Sequence, residues 1–344
     1  MAELPSEAGY QHDVLGWLEE LGWEVYGLDG EYGGSRLDRE YNRTDKRDVI
    51  YWDLLSEWLV DSEINPDITE DNVDEVLNSL QRDLNHDTLV SGNWDFHEVL
   101  TTGKKFTLRA EGFVTDRDED DGDIDVIYVD LIDFENLENN RFVAADEFQV
   151  DGPNGRIRPD VNLFVNGIPL VTMELKSIAE DNDFYDAIRD LRNYEEKRSR
   201  LFVPGLFNVA ADQGEYRYAA VGAPQRLYMP WRNAPEQYAV EDNEPKQAIR
   251  AMCNHETLLN LLKNYVFHER QPGGDARIIP RYMQYYAVEE IFNLIRTTDH
   301  KRGLVWHTQG SGKSFTMLFA ARNLIQGATL GDHAPVLDNP QVLV

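Results

Sequence analysis

The sequence predicts an α/β chain in two parts, and three observations carry that reading. Residues 158–177 (RPDVNLFVNGIPLVTMELKS) read as two short strands about an Asn166-Gly167 turn. Residues 303–317 (GLVWHTQGSGKSFTM) read as an apolar strand, a Gly-rich turn and a helix. Apolar residues also recur at helical spacing at both ends of the chain. With 344 residues there is material for two cores.

The elements are expected in this order. Residues 6–21 form an amphipathic helix with Ser6 as N-cap, followed by a short strand, WEVYG. Residues 27–47 are polar and Gly-rich and read as a loop. Helical patterns cover about 47–61 and 70–84, and strands follow at about 105–114 and 124–133. Between those strands, DRDEDDGDID (116–125) holds seven acids in ten positions. It departs from a calcium loop because Asp121 sits where the tight-turn Gly belongs, so a solvated hairpin tip is expected. A helix covers about 183–199, two short strands lie within 201–229, and 230–254 is a Pro-rich, polar connection. Further helices start near 255 and 279.

Composition bounds the setting. The net charge is −30, from 63 acidic and 33 basic residues, and only nine of the basic residues are Lys. This balance resembles that of proteins adapted to a high-salt, halophilic cytoplasm. At molar salt the Debye length falls to ~3 Å, so the global charge does not exclude a nucleic-acid partner. One cysteine, Cys253, excludes disulfides and Cys-based zinc sites and fits a reducing compartment. The N-terminus lacks an apolar signal core and no run reaches transmembrane length, so a cytoplasmic chain without a membrane partner is expected.

The hairpin carries the first chemistry. Asp160, Asn162 and Phe164 share one strand face; Glu174 and Lys176, two apart, share another. Matching the apolar sets Val161/Leu163/Val165 and Val171/Met173/Leu175 requires odd residues to oppose odd ones. A three-residue loop with Gly167 in a bulge does this; a two-residue turn would put Asp160 opposite Met173 and is not expected. In the matching register Asp160 lies across from Glu174, with Cβ atoms roughly 4.5–5.5 Å apart. Two carboxylates that close repel unless a cation lies between them. With Lys176 beside them, the set can hold a divalent metal next to a phosphodiester.

Pro159-Asp160 followed by Glu174-Leu175-Lys176 resembles the PD-(D/E)xK nuclease motif, and NGIPLV ahead of ELKS resembles the restriction (motor) subunit of type I restriction-modification enzymes. The resemblance covers essentially the whole chain. It implies a restriction endonuclease-like domain over 1–229, a linker over 230–254, and the truncated start of a RecA-like superfamily 2 helicase domain over 255–344. It implies Asp160 and Glu174 as Mg²⁺ ligands, the Leu175 carbonyl as a further candidate ligand, and Lys176 as the group that activates or orients water. An acidic residue of the first helix faces the metal in this family, and Glu7 is the candidate. A Q-x-x-x-Y element is also usual; here Asp190 stands at the Gln position, with Tyr194 in place. Arg156, Arg158, Arg189, Arg192, Arg198 and Arg200 flank the hairpin and are candidate phosphate contacts.

The Gly-rich turn carries the second chemistry. GSGKS at 310–314 departs from the strict P-loop pattern because His307 occupies its first Gly position, yet WHTQGSGKS is the usual form in the type I motor subunits. Gly310, Ser311, Gly312 and Lys313 are expected to cradle the phosphates of ATP, with Ser314 on Mg²⁺. Arg281 and Gln284 resemble a Q-motif, in which Gln284 reads adenine. The terminal QVLV reads as the start of a further core strand, so an N-terminal portion of a longer protein, or a truncated gene product, is expected. The resulting expectation is a Mg²⁺-dependent DNA endonuclease joined to an ATP-driven translocase that works with methyltransferase and specificity subunits. A non-cleaving DNA-binding or assembly module with a decayed site, and an ATP-independent repair nuclease, stay open as alternatives.

Overall fold

The computed structural model describes residues 6–109, 112–114, 125–232, 244–270, 274–297 and 302–327. The acidic run 116–124 and the terminal QVLV lie outside the described residues. The centre is a six-stranded mixed sheet in the order β1-β5-β6-β7-β8-β9. Its strands are β1 (Glu24–Tyr26), β5 (Phe142–Asp146), β6 (Val161–Val165), β7 (Ile168–Leu175), β8 (Phe207–Ala211) and β9 (Tyr216–Ala220). β1 runs parallel to β5 and β7 parallel to β8; the other pairs are antiparallel. Every residue of β5, β6, β7 and β8 is buried, so both faces of the central strands are covered.

Helices supply the cover. α1 (Glu7–Glu19) is capped by Ser6, whose Oγ accepts from Gly9 N at 3.3 Å, and buries Val14, Leu15 and Leu18. α6 (Phe184–Lys197) starts in a capping box between Asp183 and Asp186 and lays Ala187 and Leu191 on Ala210 and Ala219. On the opposite face, the Tyr216 hydroxyl reaches Met252 Sδ at 3.3 Å and the Tyr218 hydroxyl donates to Pro280 O at 2.6 Å. The stretch expected to be a connection therefore contains a packed helix, α8 (Glu244–Met252), with Ala248, Ile249 and Met252 buried.

Two expected helices form later than the patterns suggested, as α3 (Trp52–Asp61) and α4 (Val73–Asp83). The loop expected over 27–47 contains α2 (Gly33–Glu40). Its composition is poor for a helix, but Leu37 is fully buried, and a Cβ on Gly33 would sit 2.0 Å from Tyr26 O. Close packing on β1 therefore overrides weak helix propensity. α5 (Leu89–Thr102) lies where no helix was expected, capped by Thr88 and centred on the buried Phe96. The strand expected over 105–114 is two strands, β2 (Lys104–Arg109) and β3 (Gly112–Val114), which pair with each other and, through β2, with β4 (Asp125–Val129).

Toward the C-terminus, α9 (His255–Asn264) leads into the hairpin β10 (Phe267–Glu269) and β11 (Ala276–Ile278), then α10 (Tyr282–Thr297) and α11 (Lys313–Ile325). Arg277 of β11 is buried and donates to Asn93 Oδ1 and Gly205 O. The strand expected at 304–306 does not form: Leu304 is 81 % and Trp306 86 % exposed. A strand exists only through its ladder, and no described strand lies beside this segment.

The hairpin at the centre also differs from expectation. Val165 pairs with Ile168, so the turn is the two-residue Asn166-Gly167, both at positive φ (51° and 82°). The register then shifts between Leu163 and Phe164, leaving Leu170 as the extra residue of a bulge beside Pro169, which has no N–H to offer the ladder. Beyond the bulge Val161 faces Met173. Odd residues oppose odd ones after all, by a tight turn plus a bulge rather than by a longer loop. The turn is buried because Asn166 donates to Leu131 O and Asn140 Oδ1, both at 2.9 Å, and Gly167 O accepts from Tyr51 N at 3.0 Å.

Candidate active site

The register brings Asp160 level with Glu174 at the ends of β6 and β7. Asp160, Glu174 and Lys176 are 8 %, 3 % and 9 % exposed, so the three charges share a nearly dry place. Asp160 Oδ2 accepts from Leu175 N at 2.6 Å, and Asp160 O accepts from Gln11 Nε2 of α1 at the same distance. Lys176 Nζ lies 2.7 Å from Glu174 Oε1 and 3.1 Å from Asp190 Oδ2 of α6. The Tyr194 hydroxyl, one helical turn on, donates to Glu174 Oε1 at 3.4 Å. Glu174 Oε2 is buried with no hydrogen-bond partner among the described residues.

The electrostatics follow from that geometry. Burial pushes Asp160 up to about 7, against the Leu175 N–H and the Lys176 charge; Glu7 and Glu147 push the same way as burial. Glu174 is raised well above the carboxylate range by burial and then by the Asp160 charge. Burial pulls Lys176 down, but Glu174 and Asp160 outweigh it and the ammonium is held charged. Two carboxylates raised together, with one oxygen unpartnered, form a site whose charge a cation would relieve. No group of three or more His, Cys, Asp or Glu side chains placed to hold a metal occurs among the described residues. Magnesium accepts few protein ligands and keeps several waters, so a two-carboxylate donor set with a backbone carbonyl fits it better than zinc.

The other expected residues fall into three groups. Glu7 lies close enough to raise both Asp160 and Lys176, and its N–H donates to Glu180 Oε1 at 3.0 Å. Asp190 meets the Lys176 ammonium, which answers how an acid is tolerated at the position where Gln was expected. The arginines mostly do not converge on the carboxylates. Arg156 pairs with Asp151 at 2.8 Å, Arg158 with Glu147, and Arg189 with Asp186 at 2.7 Å. Arg198 is buried and bonds Lys197 O, and Arg200 lines a separate hollow with His86. Arg192 is on another side of α6. Gln11 was missed by sequence reasoning; its signal was a polar side chain on the apolar face of α1. The buried ladder of Asn162 to Thr172 (3.0 Å) and Asn208 to Glu195 (2.8 Å) was missed too, having no spacing signature.

The Gly-rich turn keeps Gly310 and Gly312 at φ 81° and 79°, and α11 begins at Lys313. The Ser311 hydroxyl is buried without a hydrogen-bond partner among the described residues. Lys313 Nζ donates to the carbonyls of His307 (3.2 Å) and Thr308 (3.0 Å), which shapes the loop into a closed cup. Lys313 and Ser314 are exposed. Gln284 is buried, and its amide donates to Ser311 O at 3.2 Å and Gly312 O at 3.1 Å. Its amide thus braces the loop from behind rather than facing outward. The two positive-φ glycines, the helix N-terminus behind them and an ammonium beside them fit a triphosphate.

Residues 5–226 match the family model described as "Type I restriction enzyme R protein N terminus", and residues 283–344 match one described as "SWI2/SNF2 ATPase". The type I restriction enzyme HindI endonuclease subunit of Haemophilus influenzae is 31 % identical, covering 95 % of this chain and 30 % of the relative. The putative type I restriction enzyme MjaVIIIP endonuclease subunit of Methanocaldococcus jannaschii is also 31 % identical, over 93 % of this chain and 29 % of its own length. A type I restriction endonuclease subunit of Staphylococcus aureus is 24 % identical over 70 % of this chain. The chain spans under a third of the length of these relatives. Among the described residues no helix is long and apolar enough to cross a membrane. A match over most of the chain, on the segment that carries the carboxylate hairpin, places it in the type I restriction enzyme R protein family.

Proposed function

We propose that this chain carries the DNA-cleaving centre of a type I restriction endonuclease subunit: a Mg²⁺-dependent, PD-(D/E)xK-type nuclease domain over 1–229, a connecting stretch over 230–254, and part of a RecA-like, ATP-driven DNA translocase over 255–344. The observation that carries the nuclease is the unpartnered Glu174 Oε2 in a buried pair with Asp160, beside the charged Lys176. Magnesium held by Asp160, Glu174 and the Leu175 carbonyl would polarise the scissile phosphate and make bound water more acidic. The Leu175 N–H fixes one Asp160 oxygen and leaves the other for the ion. Lys176, held charged by Glu174 and Asp160 and paired with Asp190, stabilises the negative charge that builds on the phosphate and does not act as a base. Tyr194 orients Glu174. In the second part, Gly310 to Ser314 would hold ATP and its Mg²⁺, and Gln284 sets the loop that receives it. The proposed partners are DNA and the methyltransferase and specificity subunits of the same system, in a high-salt cytoplasm.

The test is nicking of supercoiled plasmid by the full chain at molar KCl. Nicking is expected with Mg²⁺ and not with EDTA, and the Asp160→Ala/Glu174→Ala double variant is expected to be inactive. Equal nicking by that variant would overturn the reading. So would a wild-type chain that binds Mg²⁺ by titration calorimetry yet leaves every plasmid intact, including when the partner subunits are added.

A further inference from the structure

α6 has a second functional face. Asp190 and Tyr194 turn toward Lys176 and Glu174, whereas Tyr185 and Arg192 lie about half a turn away around the helix. There α6, β9 and the turn at 225–227 enclose a cleft of about 550 Å³. Arg192, Arg217 and Arg226 line it together with Phe184, Tyr185 and Tyr228, and among the described residues no Asp or Glu does. In a chain with 63 acids against 33 bases, a described lining with three guanidiniums, only one of them ion-paired there, is a local inversion of charge.

The three arginines are not equivalent. Arg217 is ion-paired to Glu215 at 2.5 Å, and its guanidinium lies 5.1 Å from the centre of the Phe184 ring, so it forms a fixed floor. Arg192 and Arg226 are exposed, and neither is in an ion pair among the described residues. The Tyr185 ring is 55 % exposed at the rim and leans on Phe184, with centroids 4.2 Å apart. A contact to a duplex backbone uses guanidiniums alone. An open aromatic ring in one cleft with two exposed guanidiniums suits a flat base joined to phosphates.

We propose that this cleft binds single-stranded DNA, with a base stacked on Tyr185 and flanking phosphates on Arg192 and Arg226. The site needs neither the metal nor the carboxylates, so it stands apart from the cleavage reading. It is tested with the full chain and a fluorescein-labelled mixed-sequence 12-mer, by anisotropy in EDTA, against the blunt duplex of the same sequence. The single strand is expected to bind at least tenfold tighter than the duplex. Arg192→Ala/Arg226→Ala is expected to weaken single-strand binding at least tenfold. It should also reduce the slope of log K against log salt by about 1.4, since each phosphate contact on a single strand contributes ~0.7. Tyr185→Ala is expected to cost about tenfold with the salt slope unchanged. All three residues are exposed, and a circular dichroism melt matching the wild type certifies the fold. Unchanged single-strand affinity in the double arginine variant would overturn the proposal. Equal losses for strand and duplex, with no effect of Tyr185→Ala, would overturn it in favour of a duplex-backbone contact.

Discussion

The hairpin site and the Gly-rich loop are both built on a left-handed glycine, yet they are held in different ways. Gly167 (φ 82°) is enclosed: a Cβ there would lie 2.6 Å from Tyr51 O. Gly310 (φ 81°) has nothing within 4 Å of the same position. Around Gly167 lies a sheet buried on both faces, with functional side chains fixed by β7, α1 and α6 at once. Around Gly310 the preceding Leu304–Trp306 segment is exposed and has no ladder among the described residues. A site inside one sheet is finished by its own neighbours, whereas a phosphate loop owes its rigidity to a strand paired on both sides.

The largest separation of the two regions is catalytic. Lys176→Ala, Glu174→Ala or Asp160→Ala should each lower plasmid nicking by on the order of 10²–10³, whereas Lys313→Ala should stop ATP-driven translocation in the full-length protein. Retained restriction in the Lys313 variant would sever the loop from any motor role. Next comes the matched pair of glycines. Gly167→Ala should cost roughly 1–3 kcal/mol for overpacking plus about 1–2 kcal/mol for a left-handed Ala. Gly310→Ala should cost only the second part, and denaturant unfolding of both variants measures the difference.

A third comparison uses pH. Burial raises Glu195 to about 7, although Gly222 N and Asn208 Nδ2 both donate to its Oε1 at 2.8 Å. The folded state thus holds this proton more tightly than the unfolded chain. Its stabilising contribution is complete below the ordinary value of 4.5 and is lost as pH rises through about 7. The loss is about 3 kcal/mol over that window. Glu195→Gln keeps one acceptor for both donors, so its unfolding free energy should lack this pH dependence and exceed that of the wild type at pH 8. The smallest effect is on the loop: Lys313 is exposed and bonds only carbonyls, so Lys313→Ala should change stability by less than about 0.5 kcal/mol.

The hairpin was legible because alternation and an Asn-Gly turn announce themselves locally. The register at Asp160 and Glu174 followed from matching the apolar sets, although the bulge at Leu170 that delivers it did not. α2 was hidden because its glycines serve contact with β1 and β5 rather than a turn. α5 was hidden by Gly92, Ser91 and a β-branched end, which packing around Phe96 overrides. Asp190 was visible as a departure, but its role was not, because nothing in a linear string says that Lys176 ends 3.1 Å from it. The arginines show the reverse error: density in sequence suggested one patch, and the fold spreads them over separate ion pairs and a cleft.

Leu170 carries no chemistry, yet it sets the parity of the strand that does. Were that bulge to straighten, with Leu170 taking the place opposite Leu163, the Asn166-Gly167 turn would zip straight through. Every side chain from Val171 to Lys176 would then change sides, sending an acid and an ammonium into the opposite face and Met173 beside Asp160. In this fold a slip of a single position, far too small to alter the architecture, would amount to turning the site inside out.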